Sequence, residues 1–325
     1  MNKRALIRTA CALALAAMLP NVSAQDAYPN KPIKLVVPFP PAGGTDVLSR
    51  SIAQAMASAT KWLIVIDNKP GAGGNIGLDF AAKSPPDGYT IAMGQTANLA
   101  VNPALYSTMP FDPLKDFAPI ALISSQPLIL VVSDSSPYKT LKDLVDAAKK
   151  NPGKVNMASS SNGTIGHIGG ELFQRRAGIK MTHVPYKGAG PAVTDLMGGS
   201  VDCFFGNTQA VGGLVTAGRL RPLAVTSPQR LGNFPNVPNV AEQGYPGFEA
   251  ATWSCLVAPA GTPAAIVDKL NAAANKALGT SEMRAKLHED GSTPLGGTPQ
   301  QFAEFIKKEH AKWGSAVRDA NIKLD

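Results

Sequence analysis

Twice along this chain, an apolar run of strand length breaks into a loop of small residues and then resumes with helical spacing. The first copy is KLVVPFPPAGGTDVLSRSIAQAM, residues 34–56, in which Leu35-Val36-Val37 gives way to Phe39-Pro40-Pro41-Ala42-Gly43-Gly44-Thr45-Asp46. The second runs from Val155–Ala158 through Ser159-Ser160-Ser161-Asn162-Gly163-Thr164 into a helical stretch containing Glu171-Leu172-Phe173. A strand that enters a helix through a short loop is the building unit of parallel sheets. The start of such a helix leaves backbone N–H groups without intrahelical partners, at the positive end of the helix dipole. Each loop is therefore a candidate anion cradle. If the chain crosses between lobes after its first strands, the two loops face each other across a cleft.

The rest of the chain keeps the same alternation. Strand candidates are 33–37, 62–66, 89–93, 129–132, 155–158, 201–205 and 223–226. Thr140-Leu141-Lys142-Asp143 reads as a capping box that opens a helix burying Leu141, Leu144, Val145 and Ala148. Thr262-Pro263 and Thr298-Pro299 place a capping residue before a first-turn proline. The last helix carries Phe302, Phe305, Ile306, Trp313 and Val317 on one stripe, which is core packing. The expected fold class is α/β with largely parallel sheets.

The N-terminal stretch MNKRALIRTACALALAAMLPNVSAQ has a charged start, a short apolar core from Cys11 to Leu19 and a small-residue cleavage site at Val22-Ser23-Ala24. It reads as a secretory signal peptide over residues 1–24. No later run approaches the roughly 18 apolar residues of a spanning helix. Removing the peptide takes away Lys3, Arg4 and Arg8 and lowers the formal charge from +8 to +5. The remaining length of about 300 residues exceeds what one core holds, so two lobes are expected. A surplus of that size can steer anions, but no Lys/Arg cluster interleaves with aromatics, so nucleic acid is not an expected partner. Cys203 and Cys255 both sit in apolar strand-like runs, where a buried free thiol is common.

The chemistry that is absent narrows the function. Pro41–Asp46 lacks the lysine of a phosphate-binding P-loop, and Asp46 would repel a polyphosphate. The glycine-rich stretch at 71–77 has Ile76 where a dinucleotide fingerprint needs its third glycine, and reads as a turn that starts a helix. There is no G-x-S-x-G elbow, and His167, His183, His288 and His310 have no metal-ligand spacing. No metal or cofactor is expected, and no catalytic residue is assigned. The hydroxyls of Ser159, Ser160, Ser161 and Thr164 make sense as donors to a carboxylate. Lys187, in HVPYKGAGPAV, is the one cation in a comparable strand–loop–helix position. A carboxylate held by hydroxyls and amides, with no buried lysine or arginine, is easily released, which suits a carrier.

Eight motifs occur in family order: YPNKPIKLVVPFPPAGGTD, NKPGAGGNIG, PPDGYTI, VNPALY, ASSSNGTIGHIGGELF, HVPYKGAGPAVTDLMGGSVD, GRLRPLAVTS and LVAPAGTPAAIV. On these the chain resembles the substrate-binding proteins of tripartite tricarboxylate transporters, often called the Bug family. The resemblance implies a two-lobed periplasmic-binding-protein fold of type II-like architecture. Each lobe would be a mostly parallel sheet flanked by helices, with the ligand cleft between them. Residues 25–125 would form the first part of lobe one, 126–250 lobe two, and 251–325 a return to lobe one. It also implies a monomeric periplasmic receptor that delivers a small organic carboxylate to a two-component membrane permease and is not an enzyme.

By the same resemblance, the ligand is gripped by Phe39, Pro40, Pro41, Ala42, Gly43, Gly44, Thr45 and Asp46 from the first lobe. Ser159, Ser160, Ser161, Asn162 and Thr164 grip it from the second. Gln95, Thr96 and Asn98 would line the pocket from lobe one, and Phe205, Gly206 and Asn207 from lobe two. The family often has an acidic residue near Gly206, and its loss here favours an anionic distal end over an amino group. A dicarboxylate is therefore expected, with aromatic acids such as terephthalate included. Two other readings are a ligand-presenting accessory to a membrane sensor and a periplasmic hydrolase using Ser160 and His167.

Overall fold

The computed structural model describes residues 28–289 and 291–320; the expected signal peptide lies outside the described residues. Strand β1 (Ile33–Val37) is followed by helix α1 (Gly44–Thr60), edge strand β2 (Ile64–Asn68), α2 (Asn75–Ala82) and β3 (Thr90–Gln95). The glycine-rich stretch is the turn before α2: Gly71, Gly73 and Gly74 all have positive φ. A single turn, α3 (Asn102–Leu105), leads to β4 (Phe117–Ser133).

The second lobe then follows in strand–helix alternation: α4 (Leu141–Lys150), β5 (Asn156–Ser159), α5 (Ile165–Ala177), β6 (Thr182–Pro185), α6 (Ala189–Gly198) and β7 (Cys203–Asn207). It ends with α7 (Thr208–Thr216) and β8 (Leu220–Val225). After β9 (Ala251–Pro259) come α8 (Ala264–Leu278), α9 (Ser281–Glu289), β10 (Thr293–Gly296) and α10 (Pro299–Ala320). Among the described residues, no helix is long and apolar enough to cross a membrane.

Parallel ladders lie at the two outer ends of the sheet: β2-β1-β3 at one end and β6-β5-β7 at the other. The strands joining them are antiparallel. The first half of β4 pairs with β9 and β10, and its second half with β7 and β8. One strand of 17 residues is thus shared by both lobes. A single apolar core runs through this waist from Val36 and Leu78, by way of Leu122, Leu128, Trp253 and Trp313, to Met157 and Phe205. A second cluster, around Ile129, Phe204 and Val211, packs the other face of the second-lobe strands.

Local signals account for the helix ends. The Thr140–Asp143 capping box forms, and Lys149 and Lys150 close α4 where the dipole is negative. Thr298 accepts from Gln301 N, and Gln301 Oε1 accepts from Thr298 N, which caps α10 in the same reciprocal way. Thr262 does otherwise: its hydroxyl donates to Pro259 O instead of capping α8. Strand β2 begins two residues later than the apolar run suggests, because Trp62 N donates to Thr60 Oγ1 at the end of α1 and not to the sheet.

Candidate functional site

Where β1 ends, Pro38–Gly43 carries the chain to α1, whose N-cap, Gly43, makes no side-chain cap. The shape of this loop comes from Asp46. Its Oδ2 accepts from Ala42 N at 2.9 Å and Arg50 Nε at 2.8 Å, and its Oδ1 accepts from Asn68 Nδ2 at 2.9 Å. The same Asn68 amide donates to Phe39 O at 3.1 Å. The tie holds Ala42 at a φ of 63°, a conformation that non-glycine residues rarely adopt. The Arg50 hydrogen bond, aided by Asn68 and the Ala42 amide, brings the Asp46 carboxyl down to about 2. Asp46 is only 2 % exposed, so it shapes the cradle from behind it.

On the second lobe, β5 leads into the serine loop and α5. Thr164 caps α5, accepting from His167 N and donating to Ser161 O at 2.8 Å. Ser159, at 0 % exposure, donates to the same Ser161 carbonyl at 2.9 Å and lies 2.6 Å from His183 Nε2. His167 Nδ1 accepts from Gly163 N at 3.1 Å, and its ring stacks on His183 with centroids 3.8 Å apart. Burial pushes His167 down to about 3, with His183 adding repulsion, and burial alone pushes His183 down to about 4. Both rings are therefore neutral near pH 7.

This arrangement gives the hydrolase reading no support: His167 Nδ1 accepts from Gly163 N and its ring stacks on His183, and the serine that does meet a histidine, Ser159, is buried. The pair also makes stability depend on pH. Both folded-state values lie below the ordinary histidine value, so the unfolded chain binds protons first as pH falls. Stability is complete above about pH 6.5 and declines towards pH 4. The urea midpoint should fall between pH 8 and pH 5, and His183→Phe should flatten that slope. An unchanged slope would show that the pair does not set it.

Between the two loops lies a cleft of about 200 Å³. Its floor is the pair β4 and β9. Alternate residues of a strand share a face, which puts Ser124, Gln126 and Leu128 beside Thr252 and Ser254, with Ser124 opposite Ser254 and Gln126 opposite Thr252. Gln95 Nε2 donates to Thr45 Oγ1 at 2.8 Å and reaches Ser254 Oγ at 3.4 Å. The Thr45 hydroxyl therefore keeps its own proton to donate. Gln126 Nε2 donates to Thr208 Oγ1 at 3.1 Å, and Asn207 caps α7 through Ala210 N. The first residues of α1, α5 and α7 all reach the cleft, and Phe39, Leu128, Ile165 and Phe205 give it apolar walls. Among the described residues, its lining contains no ionisable side chain.

Of the residues expected from sequence, Phe39, Gly44, Thr45, Gln95, Ser160, Thr164, Phe205 and Asn207 line this cleft. Asp46, Thr96, Asn98 and Ser159 are buried behind it: Thr96 Oγ1 accepts from Trp253 N, and Asn98 Oδ1 accepts from Gln95 N. Pro40, Pro41, Ala42, Gly43, Ser161 and Asn162 are exposed and outside the lining. Gly206 is also outside it, and a Cβ there would strike Phe204 and Val211. A side chain at 206 would thus enter the core and not meet a ligand, which removes the geometric ground for reading its missing acid as a specificity signal. Lys187 is exposed and outside the lining. Cys203 and Cys255 are free buried thiols. The floor residues Ser124, Gln126 and Thr252 were not anticipated.

A family model described as "Tripartite tricarboxylate transporter family receptor" matches residues 48–322. BugT of Bordetella pertussis is 40% identical over 313 residues, covering 96% of this chain and 96% of BugT. Among solved structures, Rpa4515 of R. palustris with adipate superimposes with a TM-score of 0.84 at 38% identity, covering 91% of this chain and 100% of that one. MatC of Rhodopseudomonas palustris with bound malate gives 0.79 at 31% identity, covering 89% and 100%.

Proposed function

The chain belongs to the tripartite tricarboxylate transporter receptor family, and from that premise we propose that it captures a small dicarboxylate between its lobes. It hands this ligand, unchanged, to a two-component membrane permease, acting as a monomer in the periplasm after export. One observation carries the ligand class: three helix N-termini converge on a cleft whose lining, among the described residues, has no ionisable side chain. Each N-terminus carries a partial positive charge and backbone donors. An anion is stabilised there without a fixed counter-ion, and release needs no buried ion pair to be broken. The apolar walls suit a hydrocarbon segment, aliphatic or aromatic, between two carboxylates. The similarity to proteins solved with adipate and with malate supports the same class.

The test is thermal unfolding against succinate, adipate, malate, citrate, phthalate, terephthalate, aspartate and nicotinate, with monoesters of the diacids. A diacid at a hundred times its Kd should add about 2.7 kcal/mol, a rise of roughly 5 °C in Tm, and its monoester should not. If a monocarboxylate stabilised as well as any diacid, or if no acid acted on refolded protein, the reading would be wrong. With the stabilising acid in hand, Thr45→Val and Ser160→Ala should each weaken binding by roughly 1–3 kcal/mol, the cost of leaving a buried polar partner unpaired. Unchanged affinity in both would take the two loops out of the site.

A further inference from the structure

Strand β4 does not pass β9 in an unbroken ladder. Leu122 lies opposite Cys255 and Ser124 opposite Ser254, so Ile123 is an extra residue on one side, a β-bulge. Without the bulge, Ile123 would stand opposite Ser254. With it, Ile123 is wholly buried and Ser124 takes the place on the cleft floor. Ser124 is 3 % exposed and Ser254 4 %, yet both line the cleft. Among the described residues the Ser124 hydroxyl has no hydrogen-bond partner, and that of Ser254 meets only the Gln95 amide, as an acceptor at 3.4 Å. A buried hydroxyl without a partner costs free energy, and both of these open onto one cavity.

Directly opposite side chains of antiparallel neighbours stand about 5 Å apart, so two hydroxyls there can reach the same carboxylate. The Gln95 amide carries the row on to Thr45 in the first turn of α1, donating to its hydroxyl oxygen at 2.8 Å. Thr45 and Ser254 thus keep their protons for a group in the cleft. Three hydroxyl donors stand in a row beside the N–H groups of a helix start. An alcohol oxygen has two lone pairs to offer them, whereas a carboxylate has about four. We propose that Ser124 and Ser254 form a floor seat for one carboxylate of the ligand, completed from α1 by Thr45, and that the bulge at Ile123 supplies the Ser124 hydroxyl. The seat rests on the carboxylate-binding reading of this cleft and fixes where one end of the diacid sits. The other end is left to Ser160, Thr164 and the helix starts of the second lobe.

The experiment sets affinity against ligand-free stability. Succinate, adipate, malate, citrate, phthalate and terephthalate are titrated by calorimetry into refolded parent, Ser124→Ala, Ser254→Ala and Ser125→Ala, and each protein is unfolded in urea without acid. Ser125, the next residue of β4, lies opposite Trp253 and outside the cleft lining, and serves as the reference. For each acid that the parent binds, Ser124→Ala and Ser254→Ala should each weaken affinity roughly tenfold or more, the scale of one hydrogen bond to a charged group. Ser125→Ala should leave affinity unchanged. The urea midpoint of Ser124→Ala should match the parent or exceed it, because the lost hydroxyl had no protein partner.

Parent-like affinity in either cleft-floor variant, for an acid that binds the parent, would overturn the seat and leave the carboxylate reading intact. An affinity loss shared by Ser125→Ala, or matched by a fall in the urea midpoint, would overturn it too, since the serines would then only brace the floor. If no acid binds the refolded parent, the carboxylate reading fails and the seat falls with it.

Discussion

Asp46→Ala should lower stability by roughly 2–4 kcal/mol and weaken dicarboxylate binding at least tenfold. The substitution removes the acceptor of three donors and leaves the Ala42 N–H and the Asn68 amide without that partner. Each of these bonds goes to a charged acceptor, a class that contributes about 1.5–3 kcal/mol. With the tie gone, nothing holds Ala42 in its left-handed conformation, and the N-terminal turn of α1 loses its shape. Arg50→Ala is the contrasting variant. Arg50 is 53% exposed, and an exposed partner contributes about 0–1 kcal/mol. Chemical denaturation of both variants decides the matter: equal losses would show that the ion pair matters and the backbone tie does not. The carboxyl is held below its ordinary value, so its contribution is complete above about pH 4 and is lost as pH falls towards 2.

Glu309→Ala should cost roughly 2–5 kcal/mol although it deletes little apolar surface. One carboxylate oxygen accepts from two indoles, Trp253 Nε1 at 2.9 Å and Trp313 Nε1 at 2.8 Å. Both rings are among the largest fully buried side chains, so removing the carboxylate strands two donors in the core. Glu309→Gln keeps an oxygen in place and should stay within about 1 kcal/mol of the parent. The bond also ties α10 to β9 between Thr252 and Ser254, so Glu309→Ala should loosen the cleft floor and lower ligand affinity. A loss below about 1 kcal/mol in Glu309→Ala would mean that the indoles are satisfied in another way.

The two strand–loop–helix units were legible because each is local: apolar strand residues, a run of small residues and a helix start follow one another within about 15 positions. The capping box at Thr140 and the stripe on α10 were legible for the same reason. The cleft floor was not. Its strand β4 carries Pro119 and Pro127, which interrupt the strand signal, and the ladder shifts register between Pro119 and Ala121. Only 129–132 stood out as a strand. The alternation Ser124, Gln126, Leu128 within an apolar run was the available sign of a polar face. Asp46 was placed in the site because it lies beside the loop glycines. Three residues beyond Gly43, it holds the N3 position, from which an acid reaches back to backbone donors ahead of the helix. Sequence position gives adjacency, whereas the direction of a side chain depends on packing, as Gly206 also shows.

The strand shared by both lobes has a further consequence, for the order in which the protein can be completed. Strand β3 takes β9 as its second neighbour, and Gln95 pairs with Ser254, 159 positions later. At roughly 5–20 residues per second, a growing chain makes β3 some 8–30 s before its partner exists. Throughout that interval the first lobe has an open sheet edge, the feature most prone to wrong pairing, while the second lobe, whose ladders are nearly self-contained, is synthesised. A chain that leaves the cytoplasm unfolded and folds only after its last residues arrive avoids that interval altogether. The topology thus makes late folding an advantage in itself, apart from any demand of the export machinery.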